Sequence, residues 1–293
     1  MRATILLIIT FLIVFPGFSQ DSLVLRNNKR IPYSRLAMFN GEVEIKNAET
    51  KAFEIYPCDS VYGYSEGMKE RTYFLKKNPE TDEKSHLFLS RLEVGNVSIF
   101  EGTGNNQSLY AEKDGRLEKI LSVTDSKSLK AERLEGFKSF VQDDDESLSY
   151  IASSSFKLRW KDIITVAQYY NKRNFRERTP SPNDVLGAVY LYRTQFQKTK
   201  EGIKIRLNGK SHDLYIEDYI ILDLPVDYAS MLSLRDSEVK NTHVISGELE
   251  EQFFEVLYDS KTNTFRFDKK GGTELQFEFY KIKDKVGKKI SHD

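Results

Sequence analysis

The chain has 293 residues, of which 44 are basic and 44 acidic, and this balance gives no electrostatic reason to expect nucleic acid as a partner. The single cysteine, Cys58, excludes an internal disulfide framework. Stability must therefore come from the burial of apolar side chains, and the length suggests two domains of ordinary size. Aromatic residues make up 12% of the chain, which favours strands in twisted sheets.

Residues 1–19 have the pattern of a secretory signal peptide. A basic start at Arg2 precedes an apolar run over residues 5–15, and small residues follow at Gly17 and Ser19. This pattern predicts cleavage after Ser19. The run is too short for a spanning helix, which needs about 20 apolar residues. We therefore expect an exported protein, periplasmic or at the cell surface, with no transmembrane segment after signal removal.

Residues 20–127 are predicted to form an N-terminal β domain. The dipeptides Asn40-Gly41 and Asp114-Gly115 each separate two strand-like runs, and both favour the positive φ angles of a tight hairpin turn. The runs between them are rich in aromatic and branched residues, at 62–64, 71–75, 86–89 and 97–100. They predict an antiparallel meander or barrel-like sheet of six to eight strands.

Residues 128–172 are predicted to be helical and to pack on this sheet. Apolar residues recur there at spacings of three and four, which places each set on one helix face. The sets are Leu134, Phe137 and Val141; Leu148, Ile151, Ala152 and Ser155; and Trp160, Ile163, Ile164, Ala167 and Asn171, with Tyr170 beside them. Such short helices need a buried face, so we expect them on the open face of the sheet, with Trp160 in the core.

The order of the runs at 61–67, 71–74, 87–100 and 110–117, followed by a helical stretch, resembles a group of uncharacterised exported bacterial proteins. The resemblance covers about residues 21–172. It implies a signal peptide, a β-meander of short aromatic strands and a helical segment after it. It carries no known activity, and it therefore implies no catalytic residues.

A linker is predicted at residues 173–184, where charged residues precede Pro180-Ser181-Pro182. Residues 185–290 are then expected to form a second β domain, because short strands recur at the spacing typical of a sandwich. The predicted strands are 188–193, 203–207, 219–224, 253–258, 264–267 and 275–280, with a turn at Asn208-Gly209.

The runs at 189–193, 206–210 and 223–225, together with Tyr219, are similar to a bacterial envelope domain of unknown function. That family is a small immunoglobulin-like sandwich found in exported proteins and lipoproteins. Its usual Pro-Gly turn after the third strand is replaced here by residues 225–228. The fold class expected from both halves is mainly β with a short helical segment.

No pattern in the sequence marks a catalytic, cofactor-binding or metal site. The four histidines (His86, His212, His243 and His292) have no Cys or His neighbour at ligand spacing, and Cys58 has no marked base. Residues 102–107 begin like a dinucleotide loop but lack the third glycine, so a hairpin loop is predicted. The acidic run at 143–146 is contiguous rather than alternating, which favours a helix N-terminus, with weak cation binding as the alternative.

These observations favour a non-enzymatic binding or scaffolding module of the cell envelope, with an envelope protein or a glycan as its partner. One alternative is a carbohydrate- or peptide-active hydrolase of unrecognised family. Another is an accessory protein for assembly in the periplasm.

Overall fold

The computed structural model describes residues 21–67, 71–81, 85–102, 107–176, 181–182, 184–194, 202–207, 210–234, 242–259, 264–270, 279, 281–283 and 286. The chain is mainly β, with antiparallel sheets and a smaller helical part, which confirms the predicted fold class. The predicted signal peptide lies outside the described residues. Within the described ranges, no helix has the length and apolar character needed to cross a membrane.

The first half forms one open sheet of ten strands, rather than the six to eight predicted. Its order is β10-β9-β8-β7-β6-β5-β1-β2-β3-β4. The strands are β1 (Ser22–Leu25), β2 (Arg30–Phe39), β3 (Glu42–Asn47), β4 (Phe53–Pro57), β5 (Val61–Glu66), β6 (Arg71–Lys77), β7 (His86–Glu93), β8 (Ser98–Gly102), β9 (Ser108–Lys113) and β10 (Arg116–Ser122), with a 3-10 turn at Cys58–Ser60.

The sheet departs from a simple meander at one place, because β1 lies between β2 and β5 and pairs antiparallel with both. Both predicted hairpin turns are confirmed. Asn40 and Gly41 have φ angles of 49° and 79° between β2 and β3, and Asp114 and Gly115 have 52° and 80° between β9 and β10.

Three helices follow the sheet and cover one of its faces, as predicted. They are α1 (Lys127–Phe140), α2 (Asp145–Ala152) and α3 (Trp160–Arg173). Their apolar side chains share a core cluster with strands β8, β9 and β10, in which Ile99, Leu109 and Ile120 are fully buried. Helix α1 begins after Ser126, whose hydroxyl accepts a hydrogen bond from the Leu129 N–H at 3.3 Å.

The buried stripe of α3 is rotated from the predicted one. Trp160 and Ile164 are only partly buried, whereas Val166, which the prediction omitted, is buried together with Ile163 and Tyr170. Trp160 is the first residue of the helix, where the chain is still entering the core. In the second predicted set, Ile151 is buried, while Ala152 and Ser155 are exposed because α2 ends at Ala152.

The second half contains two four-stranded sheets packed face to face as a sandwich around one core cluster. Their orders are β14-β11-β17-β18 and β13-β12-β15-β16, and β11 runs parallel to β17. The strands are β11 (Leu186–Arg193), β12 (Ile203–Leu207), β13 (Lys210–Leu214), β14 (Asp218–Pro225), β15 (Ser230–Leu234), β16 (Thr242–Ile245), β17 (Gln252–Asp259) and β18 (Thr264–Lys270).

Two predictions for this half differ from the structure or fall outside it. Phe279, expected in a final strand at 275–280, is helical, and its neighbours 275–278 and 280 lie outside the described residues. Its ring packs against the rings of Tyr190 and Phe253, with 5.0 Å between ring centroids in both cases. The aromatic side chain therefore packs a helical residue, rather than a strand residue, against the sandwich. The turn at Asn208-Gly209 also lies outside the described residues.

The sandwich contacts the face of the ten-stranded sheet that the helices leave open. Leu249 and Val226 share a buried cluster with Tyr62 and Phe74 of that sheet. A Cβ atom added to Gly63 would lie 2.9 Å from Cδ1 of Leu249, so the absence of a side chain at this position allows the close approach.

The polar contacts of this interface centre on Arg91 in β7. Its guanidinium donates to the carbonyl oxygens of Val226 and Gly247, the latter at 3.0 Å, and lies 4.7 Å from the centre of the Phe74 ring. Burial lowers the pKa of Arg91 from its ordinary value. An arginine nevertheless stays charged in a protein, so these acceptors compensate for the loss of water.

The predicted linker at 173–184 begins inside helix α3, since α3 ends at Arg173. Residues 177–180 and 183 lie outside the described residues. The first half contacts the start of the sandwich directly after this segment. The side-chain oxygen of Asn28 accepts a hydrogen bond from the Leu186 N–H at 3.4 Å.

The buried stripe of α3 gives a direct test of the packing. Ile163 is 0% exposed, and Ile163→Ala should lower the free energy of unfolding by about 2–5 kcal/mol because a cavity remains. Tyr169 lies on the same helix and is 56% exposed, so Tyr169→Ala should change the free energy of unfolding by less than about 0.5 kcal/mol. Urea denaturation of both variants measures the difference, and equal losses would contradict the placement of the helix.

Candidate functional site

A cleft of about 1050 Å³ lies between the ten-stranded sheet and the sandwich. Its floor is the sandwich-facing side of strands β6, β8 and β9. Its walls come from the turn between β9 and β10, from the end of α3, and from the segment 227–229 that joins β14 to β15. The same contacts that hold the two halves together therefore define the shape of the cleft.

The floor carries an ion pair whose members come from different strands. The Nζ atom of Lys76 in β6 donates to both carboxylate oxygens of Glu112 in β9, at 2.9 and 2.7 Å. The ammonium also lies 5.1 Å from the centre of the Phe100 ring, which adds a favourable cation–π contact. Both charges are thus satisfied within the chain.

The wall on the sandwich side carries two further carboxylates, and each is bound by a tyrosine. The hydroxyl of Tyr62 donates to Oδ1 of Asp227 at 2.5 Å, and the hydroxyl of Tyr228 donates to Oδ2 of Asp184 at 2.9 Å. Burial, followed by the charge of Asp227, raises the pKa of Tyr62 well above its ordinary value. Tyr62 therefore stays protonated and acts as a donor to the carboxylate.

The end of the cleft near α3 is held by a network around Lys113. Its ammonium donates to the hydroxyl of Tyr170 at 2.7 Å and contacts Oδ1 of Asp143 at 3.1 Å. Burial alone would lower the pKa of Lys113, but the hydrogen bonds to Tyr170 and Asp143 outweigh it and raise the pKa. This network ties β9 to helix α3 and fixes the rim of the cleft.

Three basic residues line the cleft without an ion pair to any described residue: Arg26, Lys77 and Arg176. All three are exposed, and the guanidinium of Arg26 lies 6.0 Å from the centre of the Tyr62 ring. Asp114, in the β9–β10 turn, and Asp227 are the exposed acids among the lining residues, and Asp114 has no ion pair or side-chain hydrogen bond to a described residue. Three of the lining cations but only one of the lining acids, Asp114, therefore lack both an ion pair and a side-chain hydrogen bond to a described residue; the tyrosine hydroxyls bind Asp184 and Asp227 without neutralising their charge.

The sequence-derived candidates for catalysis are placed on separate elements. Cys58 is buried in the 3-10 turn, where desolvation raises the pKa of its thiol and disfavours the reactive thiolate. His86 begins β7, His212 is half-buried on β13, and Nε2 of His243 on β16 lies 3.0 Å from the carbonyl oxygen of Phe265. None of these four candidates lines the cleft, and His292 lies outside the described residues.

The acidic run at 143–146 acts mainly at a helix N-terminus, as the sequence predicted. Asp144 is the N-cap of α2, and its side chain accepts a hydrogen bond from the Ser147 N–H at 3.1 Å. Arg173 at the end of α3 donates to the same carboxylate, with Nε at 3.1 Å from Oδ1. These hydrogen bonds, led by that of Arg173, lower the pKa of Asp144 to about 2.

Within the described ranges, no group of three or more His, Cys, Asp and Glu side chains has the geometry to hold a metal ion. Residues 102–107 join β8 to β9, which pair as antiparallel neighbours, so the predicted hairpin is confirmed by its flanking strands. Residues 103–106 themselves lie outside the described residues.

Sequence analysis missed the residues that form the cleft. Lys76, Glu112 and Asp227 are common residue types at unremarkable spacing, and they meet only because β6, β9 and the β14–β15 segment converge in the fold. One local signal was present: residues 225–228 were singled out in the sequence for lacking a Pro-Gly turn, and Asp227 and Tyr228 of this segment line the cleft.

No protein-family model matches the chain, and neither the search of curated proteins nor that of solved structures returned a match. The resemblances drawn from the sequence therefore stay predictions.

The depressed pKa of Asp144 predicts an acid-sensitive contribution to stability. An aspartate in an unfolded chain has a pKa of about 3.9, so this contribution is complete above that pH and is lost as the pH falls towards 2. Asp144→Asn keeps an N-capping oxygen but removes the titration. Urea denaturation from neutral to acid pH should show a smaller loss of stability for this variant; parallel curves would contradict the assignment.

Proposed function

We propose that this chain is a non-enzymatic binding module of the cell envelope that holds a carboxylate-bearing ligand in the cleft between sheet and sandwich. The export pattern of residues 1–19 supports the location. One observation carries the ligand chemistry: the acids Glu112, Asp184 and Asp227 are bound by donors of the chain itself, whereas exposed cations at the rim have no ion pair.

The size and lining of the cleft support an extended polar ligand. Sites for small molecules commonly have volumes of about 300–1,000 Å³ and are mostly apolar, whereas this cleft is at the upper limit and has a charged floor. A segment of an acidic glycan or of an acidic peptide would supply several carboxylates to Arg26, Lys77 and Arg176. Both are polymers of the kind that an envelope protein meets.

The cleft lining gives the hydrolase alternative little support. Its described residues include no histidine or cysteine, and Glu112 and Asp227 already accept hydrogen bonds from Lys76 and Tyr62. A general acid or base needs an available proton site at the reacting bond. The fixed pairs instead favour recognition by a preorganised surface.

Binding should be measured by calorimetry with polygalacturonate and polyglutamate as separate probes. We expect the wild type to bind at least one of them, more weakly as salt is raised, because the rim contacts are screened. The double variant Arg26→Gln/Lys77→Gln should weaken binding about two- to thirty-fold, since an exposed ion pair contributes about 0.2–1 kcal/mol. The probe that binds distinguishes glycan from peptide.

The matched control is Lys157→Gln/Lys161→Gln, which removes the same charge from exposed positions outside the cleft lining. It should bind like the wild type. Equal weakening by both double variants would show attraction to net charge alone. Failure of both probes to bind, or their cleavage by the protein, would overturn the proposal.

A further inference from the structure

The cleft between sheet and sandwich carries acids as well as cations. The described residues that line it include five cations and four acids, an excess of one positive charge. A chain of closely spaced carboxylates would therefore meet nearly as much repulsion as attraction there. A ligand fits this pattern better if hydrogen-bond donors lie between its carboxylates and can reach the acids of the lining.

Asp227 is the acid whose geometry leaves it open to such a donor. The hydroxyl of Tyr62 donates to its Oδ1 at 2.5 Å, and no described residue donates to its Oδ2. Asp227 is exposed and lies at the wall of the cleft. Because each carboxylate oxygen can accept hydrogen bonds, Oδ2 is an acceptor in a fixed position that a ligand can reach.

The ring of Tyr62 also lies beside a cation of the cleft. The guanidinium of Arg26 is 6.0 Å from the centre of this ring, and Arg26 has no ion pair to a described residue. Tyr62 itself is only 6% exposed, so its position is set by packing. Arg26 and Asp227 thus offer a donor for a carboxylate and an acceptor for a hydroxyl group around one fixed side chain.

The floor of the cleft favours hydroxyl groups over peptide groups. Strands β8 and β9 each pair with a neighbour on both sides, so the sheet engages their backbone N–H groups. The side-chain amides of Asn96 and Asn171 also donate within the chain. The carbonyl groups of a peptide would compete with its own carboxylates for the cations of the rim, and a desolvated carbonyl without a donor is destabilising. A sugar hydroxyl can instead donate to the acids.

Apolar side chains complete the lining. Phe175, which follows helix α3, is half-buried, and Val244 on β16 is 47% exposed. The face of an aromatic ring carries partial negative charge, so it attracts the slightly positive C–H groups on the flat side of a pyranose ring. Arg176 follows Phe175 directly, which places a cation next to this surface as well.

We propose that the ligand of the cleft is an acidic glycan built of uronic acid units, and that Asp227 accepts hydrogen bonds from its hydroxyl groups while Arg26 binds a carboxylate. This inference rests on the function proposed above and narrows its two ligand classes to one. Tyr62 holds Asp227 through Oδ1, and Oδ2 receives the sugar hydroxyl. Asp227 is thus a specificity-determining residue, because its charge repels the carboxylates of any ligand but its free oxygen compensates only one that carries hydroxyl groups.

Calorimetry of Asp227→Asn with polygalacturonate and polyglutamate tests this role, because the two effects of the substitution have opposite signs. The asparagine keeps an oxygen for Tyr62, removes the negative charge and replaces Oδ2 by an NH2 group. Loss of repulsion should leave polyglutamate binding at least as strong as in the wild type. Loss of the acceptor should weaken polygalacturonate binding by about three- to thirty-fold, since a hydrogen bond to a charged group outweighs an exposed charge pair.

The matched control is Asp223→Asn, which removes an exposed acid of β14 outside the cleft lining and should bind both polymers like the wild type. A second measurement uses the unaltered protein. Polygalacturonate whose hydroxyl groups are acetylated keeps its carboxylates but has no hydroxyl donors, and the wild type should bind it about tenfold more weakly than the unmodified polymer. Unchanged circular dichroism shows that the variants are folded.

Three results would overturn the inference: tighter binding of polygalacturonate by Asp227→Asn, equal wild-type affinity for the acetylated and the unmodified polymer, and wild-type preference for polyglutamate. Each of these would leave the proposed binding of carboxylates standing, and the last would make a peptide its ligand. Failure of the wild type to bind either polymer would instead overturn the proposed function itself, so the two failures are distinguishable.

Discussion

The architecture depends on a partly buried charged side chain between the two halves of the chain. Arg91 leaves the ten-stranded sheet and donates to carbonyl groups of Val226 and Gly247, which lie at two different points of the sandwich. A partly buried guanidinium needs such acceptors, and a sandwich shifted along the sheet would leave the charge with fewer of them. The cost of that displacement fixes the sandwich on the sheet more strictly than apolar contact alone, which has little directional preference.

The cleft follows from this constraint. Close to Arg91, Leu249 fits against Gly63, and Tyr62 reaches Asp227 at 2.5 Å. Beyond these contacts the sheet and the sandwich diverge, and the space between them is lined by residues of both. A ligand held there would contact a surface on which Glu112, Asp184 and Asp227 already accept hydrogen bonds within the chain, while the cations Arg26, Lys77 and Arg176 are exposed. Recognition would therefore rest on a preformed shape, with little cost for ordering the floor.

The sequence predicted what is encoded locally. The dipeptides Asn40-Gly41 and Asp114-Gly115 prefer positive φ angles in any context, and both form the expected turns. The helical segment and the role of Asp144 at a helix N-terminus were also found from short-range spacing. The position of Trp160 was misjudged because periodicity alone identifies a face without showing which turn enters the core.

Long-range features could not be predicted in the same way. The placement of β1 between β2 and β5 depends on which strand edges remain free after the hairpins form. No local sequence pattern predicts this placement. Phe279 looks like a strand residue because aromatic side chains suit sheets, but its ring serves equally well on a helix that packs against Tyr190 and Phe253. Arg91 and Asp227 gain their roles only from partners far along the chain.

The central claim is that sheet and sandwich are fixed together as one unit, and differential scanning calorimetry of the whole protein tests it most directly. A fixed interface predicts a single unfolding transition whose calorimetric enthalpy equals its van't Hoff enthalpy. Two separate transitions, each with the enthalpy of about half the chain, would contradict it.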